Sequence, residues 1–397
     1  MLFVESNTTG TGRQFCDRAR DRGLKPVVVA RDPLRFDGLF DAETPIHQVD
    51  TGDLGAALDC ARELEAESGL RGVMSSSEYF VATAAQVAAA IGLPGPSARA
   101  VQTCRRKHLQ RRALAETGLA QPLCRRVAEV DEVAAAIEVV GLPAVIKPED
   151  GSGSVDVRLC DDAQAAIAQY RKVVKSRPGA SALVESYVAG PEFSVEILDG
   201  VPVCIVSKRL TPPPHFLETG HDVPAVVSAA EQQMLRECAT SAVAALGLGW
   251  GPVHVELRLS VQGPVVIEVN PRLAGGRIPD LVAAATGIDL VGAAVDRAIG
   301  VDTVPQSTLN RFSAIRFLVA RPGLRAQDIP DLTRLRGAEG ALSVEVSVAA
   351  TRRHELTGSF RDRIGHVMAV ADSAADAGLR VEALLDELIE TITWTSR

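Results

Sequence analysis

His254-Val-Glu256-Leu-Arg258, followed across a short turn by Ile267-Glu268-Val-Asn270-Pro-Arg272-Leu-Ala-Gly-Gly276, is the stretch on which the reading of this chain turns. Side chains on a strand alternate faces, so Glu256 shares a face with His254 and Arg258, and Glu268 with Asn270 and, if the extension continues, with Arg272. Pairing the two strands as a hairpin brings Glu256 beside Glu268 and Asn270. Two carboxylates and an amide oxygen form an oxygen-only donor set, which suits Mg²⁺ better than zinc. Without a cation, carboxylates at close range repel and one takes up a proton. Either acid alone also fits an ordinary solvent-facing position on a hairpin; the compound pattern, with an adjacent arginine and a Gly-Gly turn, does not.

Upstream, the apolar strand Ala144-Val-Ile-Lys147 runs into Pro148-Glu-Asp-Gly-Ser-Gly-Ser154. A strand lysine facing a flexible loop of backbone N–H groups is one way to hold phosphate oxygens. The loop is no Walker A motif, because the lysine precedes the glycines, and a plain hairpin turn is the competing reading. Lys107, in Arg105-Arg-Lys-His108, reads by itself as part of a basic helix face. Only six lysines, at 25, 107, 147, 172, 175 and 208, stand against 36 arginines. A lysine retained against that bias is more telling than usual.

The 397 residues exceed one ordinary core, and 46% hydrophobic with 23% charged residues is a soluble globular composition. A net charge of −8 argues against a nucleic-acid binder. No apolar run reaches the length of a membrane span, and the start shows no signal-peptide pattern. Seven scattered cysteines without a C-x-x-C pair point to a reducing cytoplasm rather than to zinc or disulfides.

Residues 1 to about 95 alternate strand (2–5, 26–30, 46–49, 72–75) with helix (13–22, 53–67, 79–91), which predicts a parallel sheet covered on both faces. The first loop, Glu5-Ser-Asn-Thr-Thr-Gly-Thr-Gly12, holds two glycines of a dinucleotide fingerprint, but Phe15 occupies the third position. Asp32 stands near the expected ribose position. A turn rich in Ser, Thr and Gly explains the loop equally well. The breaker cluster 92–97 marks the first boundary, with Ser97 as the N-cap of the helices that follow. From Leu142 the texture becomes α+β: a strand at 155–159, a helix at 161–175, a strand at 182–185, a hairpin about Asp199-Gly200, and a helix at 229–246 before the two-Glu hairpin. Strands at 313–319 and 366–370 lie in a further small unit. The segment Pro212-Pro-Pro-His215-Phe-Leu-Glu218-Thr-Gly-His221-Asp-Val-Pro224 carries too many prolines for an internal strand and reads as a loop.

The order of these features resembles the ATP-grasp superfamily: Lys107, then Lys147 with its glycine loop, then Val184-Glu-Ser-Tyr-Val-Ala-Gly-Pro-Glu-Phe-Ser-Val-Glu196, then the two-Glu-plus-Asn hairpin and Arg272. The resemblance covers residues 97–300 motif by motif. It implies an α/β and α+β multidomain chain: a Rossmann-like domain at 1–96, a first grasp lobe at 97–180, a second lobe with the metal site at 181–304, and a closing domain at 305–397 containing Arg363-Ile-Gly-His366.

By the same resemblance, Lys107 and Lys147 contact the phosphates of ATP, and Gly151, Ser152, Gly153 and Ser154 close over them. Glu185, Ser186 and Val188 line the adenine, largely through backbone groups, and Glu192 takes the ribose hydroxyls. Glu256, Glu268 and Asn270 hold one or two Mg²⁺, with Mn²⁺ an alternative. Arg272 steadies an acyl phosphate and the tetrahedral intermediate, so that Arg272, Glu268 and Lys147 form the catalytic set. Asp156 departs from the pattern, since related loops often have glycine there. The 212–224 segment resembles the substrate loop of the L-amino-acid ligase branch, with Glu218 and His221, together with Arg272 and Gly275, at an amino-acid substrate. A carboxylate and an imidazole on one loop can bind an ammonium group and assist its deprotonation.

The expected activity is an ATP-dependent, ADP-forming carboxylate–amine ligase with small-molecule substrates, amino acids among them, compatible with a homodimer. An ATP-grasp kinase or carboxylase, or a nucleotide-binding regulator without turnover, is the alternative, although no biotinyl Met-Lys-Met-type sequence is present.

Overall fold

The computed structural model describes residues 1–7, 11–302, 304–352 and 355–396. The chain opens with β1 (Leu2–Val4), α1 (Thr11–Arg20), β2 (Val27–Ala30), β3 (Ile46–Gln48), α2 (Leu54–Ser68), β4 (Val73–Met74) and α3 (Val81–Ala90). The strands pair in parallel in the order β3-β2-β1-β4. Leu2, Val4 and Val29 pack under α2 and α3, while Phe3 and Val28 join a second core with α1. Both faces are covered, as the alternation of elements requires.

Two short helices follow, α4 (Ala98–Arg105), capped by Ser97, and α5 (Lys107–Ala115). The first lobe comprises β5 (Cys124–Val127), α6 (Glu132–Val140), β6 (Ala144–Pro148), β7 (Arg158–Cys160), α7 (Ala163–Ser176) and β8 (Ala182–Ser186). Its strands form an antiparallel sheet in the order β5-β8-β6-β7. The strand expected at 155–159 begins only at Arg158. Ser154 and Asp156 have φ of 58° and 60°, left-handed backbone that interrupts extension. Asp156 thus occupies the conformation that glycine adopts most readily, and it is held there by bonds from Gln169 to its carbonyl (2.6 Å) and from Ser176 to its carboxylate (3.0 Å).

The larger sheet begins with β9 (Glu192–Leu198), β10 (Val201–Leu210) and β11 (Glu218–Val223), passes through α8 (Ala229–Ala245), and adds β12 (Pro252–Ser260) and β13 (Gly263–Asn270). The turn Asp199-Gly200 has φ of 50° and 76°, a two-residue hairpin turn with both central residues left-handed. Then come α9 (Ile278–Thr286), α10 (Leu290–Ala298), β14 (Phe312–Val319), β15 (Arg325–Ala326), α11 (Thr333–Arg336), β16 (Ala341–Val346), β17 (Arg363–Ala371), α12 (Ala374–Thr391) and β18 (Trp394–Thr395). Among the described residues the strand order is β13-β12-β9-β10-β11-β14-β17-β16, antiparallel throughout. The sheet therefore runs unbroken through residue 305, where a separate closing unit is expected.

One expectation is overturned here. Residues 218–223 are not loop but an internal strand, β11, paired with β10 on one side and β14 on the other. The prolines fall outside it: 212–214 precede it and Pro224 follows it, so no ladder donor is lost.

Candidate active site

Between the lobes lies a partly open cavity lined from the N-terminal unit, both sheets and the glycine loop. Lys107, Lys147, Gly151, Ser152, Gly153, Ser154, Glu185, Ser186, Val188, Glu192, Glu218, Glu256, Glu268, Asn270 and Arg272 all line it. Two expected members do not: His221 lies buried behind Glu218, and Gly275 is exposed outside the cavity.

The nucleotide-sized end is apolar on its walls, with Val145, Val155, Val157, Tyr187, Phe216 and Ile267. Its floor is a buried charge pair. Glu185 is bonded by Arg111 through Nε (2.8 Å) and Nη2 (3.2 Å), and by Lys147 Nζ at 2.7 Å. Burial alone would raise its carboxyl, but Arg111 and then Lys147 hold it down at about 2. The Glu185 side chain thus orients Lys147, and Ser186 to Val188, which follow it, also line the cavity. Lys107, the first residue of α5, donates to the Gly151 carbonyl at 2.6 Å and pairs with Glu268 at 3.2 Å, joining the glycine loop to β13. The loop is touched from both sides, by Tyr79 at Ser152 (3.3 Å) and by the Phe360 backbone N–H at the Gly153 carbonyl (3.2 Å).

The hairpin register is the one the alternation predicts, with Glu256 opposite Glu268 and His254 opposite Asn270. β13 is an edge strand, and α5 covers it: Gln110 exchanges two hydrogen bonds with Val269 (2.7 and 3.0 Å), and Arg111 donates to the carbonyls of Val266 (3.0 Å) and Ile267 (2.6 Å). Extension stops at Asn270; the Arg272 N–H then donates to the Asn270 carbonyl (2.8 Å), and its guanidinium turns to Glu78 (Nε 3.0 Å). Among the described residues no three His, Cys, Asp or Glu side chains form a ready-made metal centre. Glu256, Glu268 and Asn270 nonetheless fit a hard divalent cation that takes its remaining ligands from phosphate oxygens and water.

Lys208 and Glu78 were not singled out by sequence as site residues. Lys208, on β10, is buried against Glu192 (2.8 Å), Glu218 (2.9 Å) and Glu256 (3.2 Å). These partners outweigh burial and raise its ammonium well above the ordinary value. Burial would raise Glu256, yet Lys208 and His254 keep it well below the usual carboxylate range. His254 bridges Glu196 (2.8 Å) and Glu256 (3.1 Å), and despite burial these acids push it up to about 9. Glu192 also receives Arg258 (3.0 Å), which stacks over Tyr187 and Phe216 and donates to the Val188 carbonyl at 2.8 Å. His221 is held near 3: burial lowers it, Glu218 at 3.6 Å opposes, and Arg363, Lys208 and His254 lower it further. It is a neutral imidazole without a hydrogen-bond partner among the described residues, edge-on to Phe317. Glu78, between β4 and α3, pairs with Arg272 and with Arg105 (2.6 Å). Nothing in its run, Ser75-Ser-Ser-Glu78, signals this role; the scarcity of lysine was a usable signal for Lys208.

The opening loop is bonded to Ser76, two residues before Glu78. Ser6 Oγ lies 3.0 Å from Ser76 Oγ, and the Asn7 N–H donates to that same hydroxyl at 3.1 Å. Thr8, Thr9 and Gly10 lie outside the described residues, and no described residue of 5–12 lines the cavity.

This architecture and site are those of a recognised class. Residues 140–280 match the ATP-grasp domain model and residues 16–95 the ATP-grasp N-terminal domain model; the chain belongs to the ATP-grasp superfamily. It is 33% identical to the uncharacterized protein y4rH of Sinorhizobium fredii, over 99% of this chain and 82% of that one. It is 28% identical to human carnosine synthase 1 over 73% of this chain, which spans 39% of that longer relative. Among solved structures, an L-amino acid ligase from Bacillus licheniformis superposes with a TM-score of 0.82 at 23% identity, covering 100% of this chain and 98% of the other.

Proposed function

We propose that the protein is an ATP-dependent, ADP-forming carboxylate–amine ligase that makes an amide or peptide bond through an acyl phosphate, with an amino acid as at least one substrate. The observation that carries this reading is the sharing of one cavity by Lys107, Lys147, the glycine–serine loop, three oxygen donors, Arg272 and Glu218. Kinship with carnosine synthase and the fold of an L-amino acid ligase support it.

Adenine fits the apolar walls, and the hydroxyls of its ribose reach Glu192. Lys107 and Lys147 draw charge from the phosphates so that a substrate carboxylate can approach the γ-phosphorus. A divalent cation bound by Glu256, Glu268 and Asn270 supplies further charge neutralisation there. The carboxylate oxygen bonds to that phosphorus as ADP leaves. The second substrate approaches Glu218 as its free amine, its ammonium proton having passed to bulk water. The amine attacks the acyl carbon, Arg272 faces the developing oxyanion, and inorganic phosphate departs with the C–O bond electrons and takes up the proton that the new amide nitrogen sheds. The loop, gripped by Tyr79 and Phe360, keeps water from the acyl phosphate.

The test is product analysis with Mg-ATP and pooled amino acids. ADP, phosphate and a new amide mass that depends on particular pools are expected. AMP with pyrophosphate would overturn the acyl-phosphate route, and ATP binding without turnover in every pool would favour a regulator.

A further inference from the structure

We infer that Lys208 is a positioning residue that couples the nucleotide, metal and amino-acid subsites, by holding Glu192, Glu256 and Glu218 on one ammonium group. The inference rests on the ligase reading for the roles of those three carboxylates and deepens it.

An ammonium has three N–H donors and no acceptor. Lys208 faces three carboxylates, from β9, β11 and β12, at 2.8, 2.9 and 3.2 Å. Its donors are therefore fully committed, one to each subsite. The second oxygen of each acid goes to a different cation: Glu192 to Arg258 (3.0 Å), Glu256 to His254 (3.1 Å) and Glu218 to Arg363. Among the described residues no second side chain pairs with all three acids, so Lys208 is their shared partner. With Glu196 bonded to His254 at 2.8 Å, the group is one continuous buried network rather than three separate pairs. A ligand that claims one carboxylate leaves one Lys208 donor unmatched, and in a buried site the ammonium must turn towards the two acids that remain. Filling one subsite is thereby felt at the others, and neither a lone ion pair nor simple neutralisation would give that.

A purely structural lysine would stabilise the fold without linking distant substitutions, so the experiment reads linkage. ADP binding is measured by calorimetry with and without Mg²⁺ for the wild type, Glu218→Gln, Lys208→Met, Lys208→Arg and the double variants, with thermal melting alongside. Glu218 belongs to the amino-acid end, yet Glu218→Gln should weaken Mg-ADP by about tenfold, and this effect should vanish in the Lys208→Met background. Lys208→Arg, which keeps the charge but offers a planar fork, should restore part of the affinity that Lys208→Met loses. If Lys208→Met does not fold, Lys208→Arg replaces it as the background and should shrink the Glu218→Gln effect. A folded Glu218→Gln with wild-type affinity, or an effect of equal size in both backgrounds, overturns the inference while ADP binding itself leaves the ligase reading intact. A wild type that binds no ADP removes both.

Discussion

The two ends of the cavity use the same chemistry, buried carboxylates held by cations, in different ways. At one end Glu185 pairs with Arg111, which lies beneath the site, and with Lys147, which itself lines the cavity; neither cation pairs with another acid among the described residues. Towards the other end Glu192, Glu218 and Glu256, which are proposed for three different subsites, share Lys208, and all four line the cavity. A dedicated pair makes a rigid floor; a shared ammonium makes an arrangement that ligands can redistribute.

The hardest test of this contrast is Glu268→Gln, which removes a metal donor from the junction of the two ends. ADP formation should fall by roughly a thousandfold or more while ADP binding without metal persists; surviving turnover in a product assay would refute the metal assignment. Next comes the floor. Arg111→Met leaves Glu185 with Lys147 alone and should cost about 3–5 kcal/mol in denaturant unfolding, far more than an exposed pair. At the other end, Glu78→Gln frees Arg272 and should lower kcat/KM for the amino-acid substrate by about a hundredfold, with ADP affinity within about twofold of wild type.

A pH experiment separates the ends further. The His221 imidazole sits near 3 in the folded protein against 6.5 unfolded, so its contribution is complete above about pH 6.5. As pH falls the unfolded chain takes up a proton that the folded one refuses, and stability drops by about 2 kcal/mol between pH 7 and 5. His221→Asn should flatten this slope in urea titrations, whereas Glu185, at about 2 against 4.5, acts only at lower pH. The smallest effect is expected at the loop. Gly153 has φ of 63°, and a Cβ there would collide with the Phe360 ring. Gly153→Ala should cost about 1 kcal/mol in the closed state, read as a severalfold rise in the KM for ATP.

What was legible follows the same division. Lys147, the glycine loop and Glu185 to Glu192 lie on consecutive elements, and Glu256 and Glu268 on one hairpin, where strand alternation fixes their faces before any packing is known. The opposition of Glu256 and Glu268 is the register that alternation predicts. The 212–224 segment was read as loop because its prolines were weighed together, although those that bracket β11 lie outside its ladder. Glu78, Arg363 and the gathering of three acids about Lys208 come from segments far apart in the chain, which only the folding of the large sheet brings together.

By itself, then, the sequence determined the parallel opening sheet, the grasp order of motifs, and the lysines, carboxylates and amide that line the cavity. All of these rest on local periodicity, turn chemistry and residue type. Tertiary structure alone decided that β11 is internal, that the strands beyond 305 continue the same sheet, that Arg272 answers to Glu78, and that one lysine serves three carboxylates. Those facts depend on long-range strand pairing and on charge balance in a buried place, where a residue's role is set by partners that its own neighbours in the chain do not reveal.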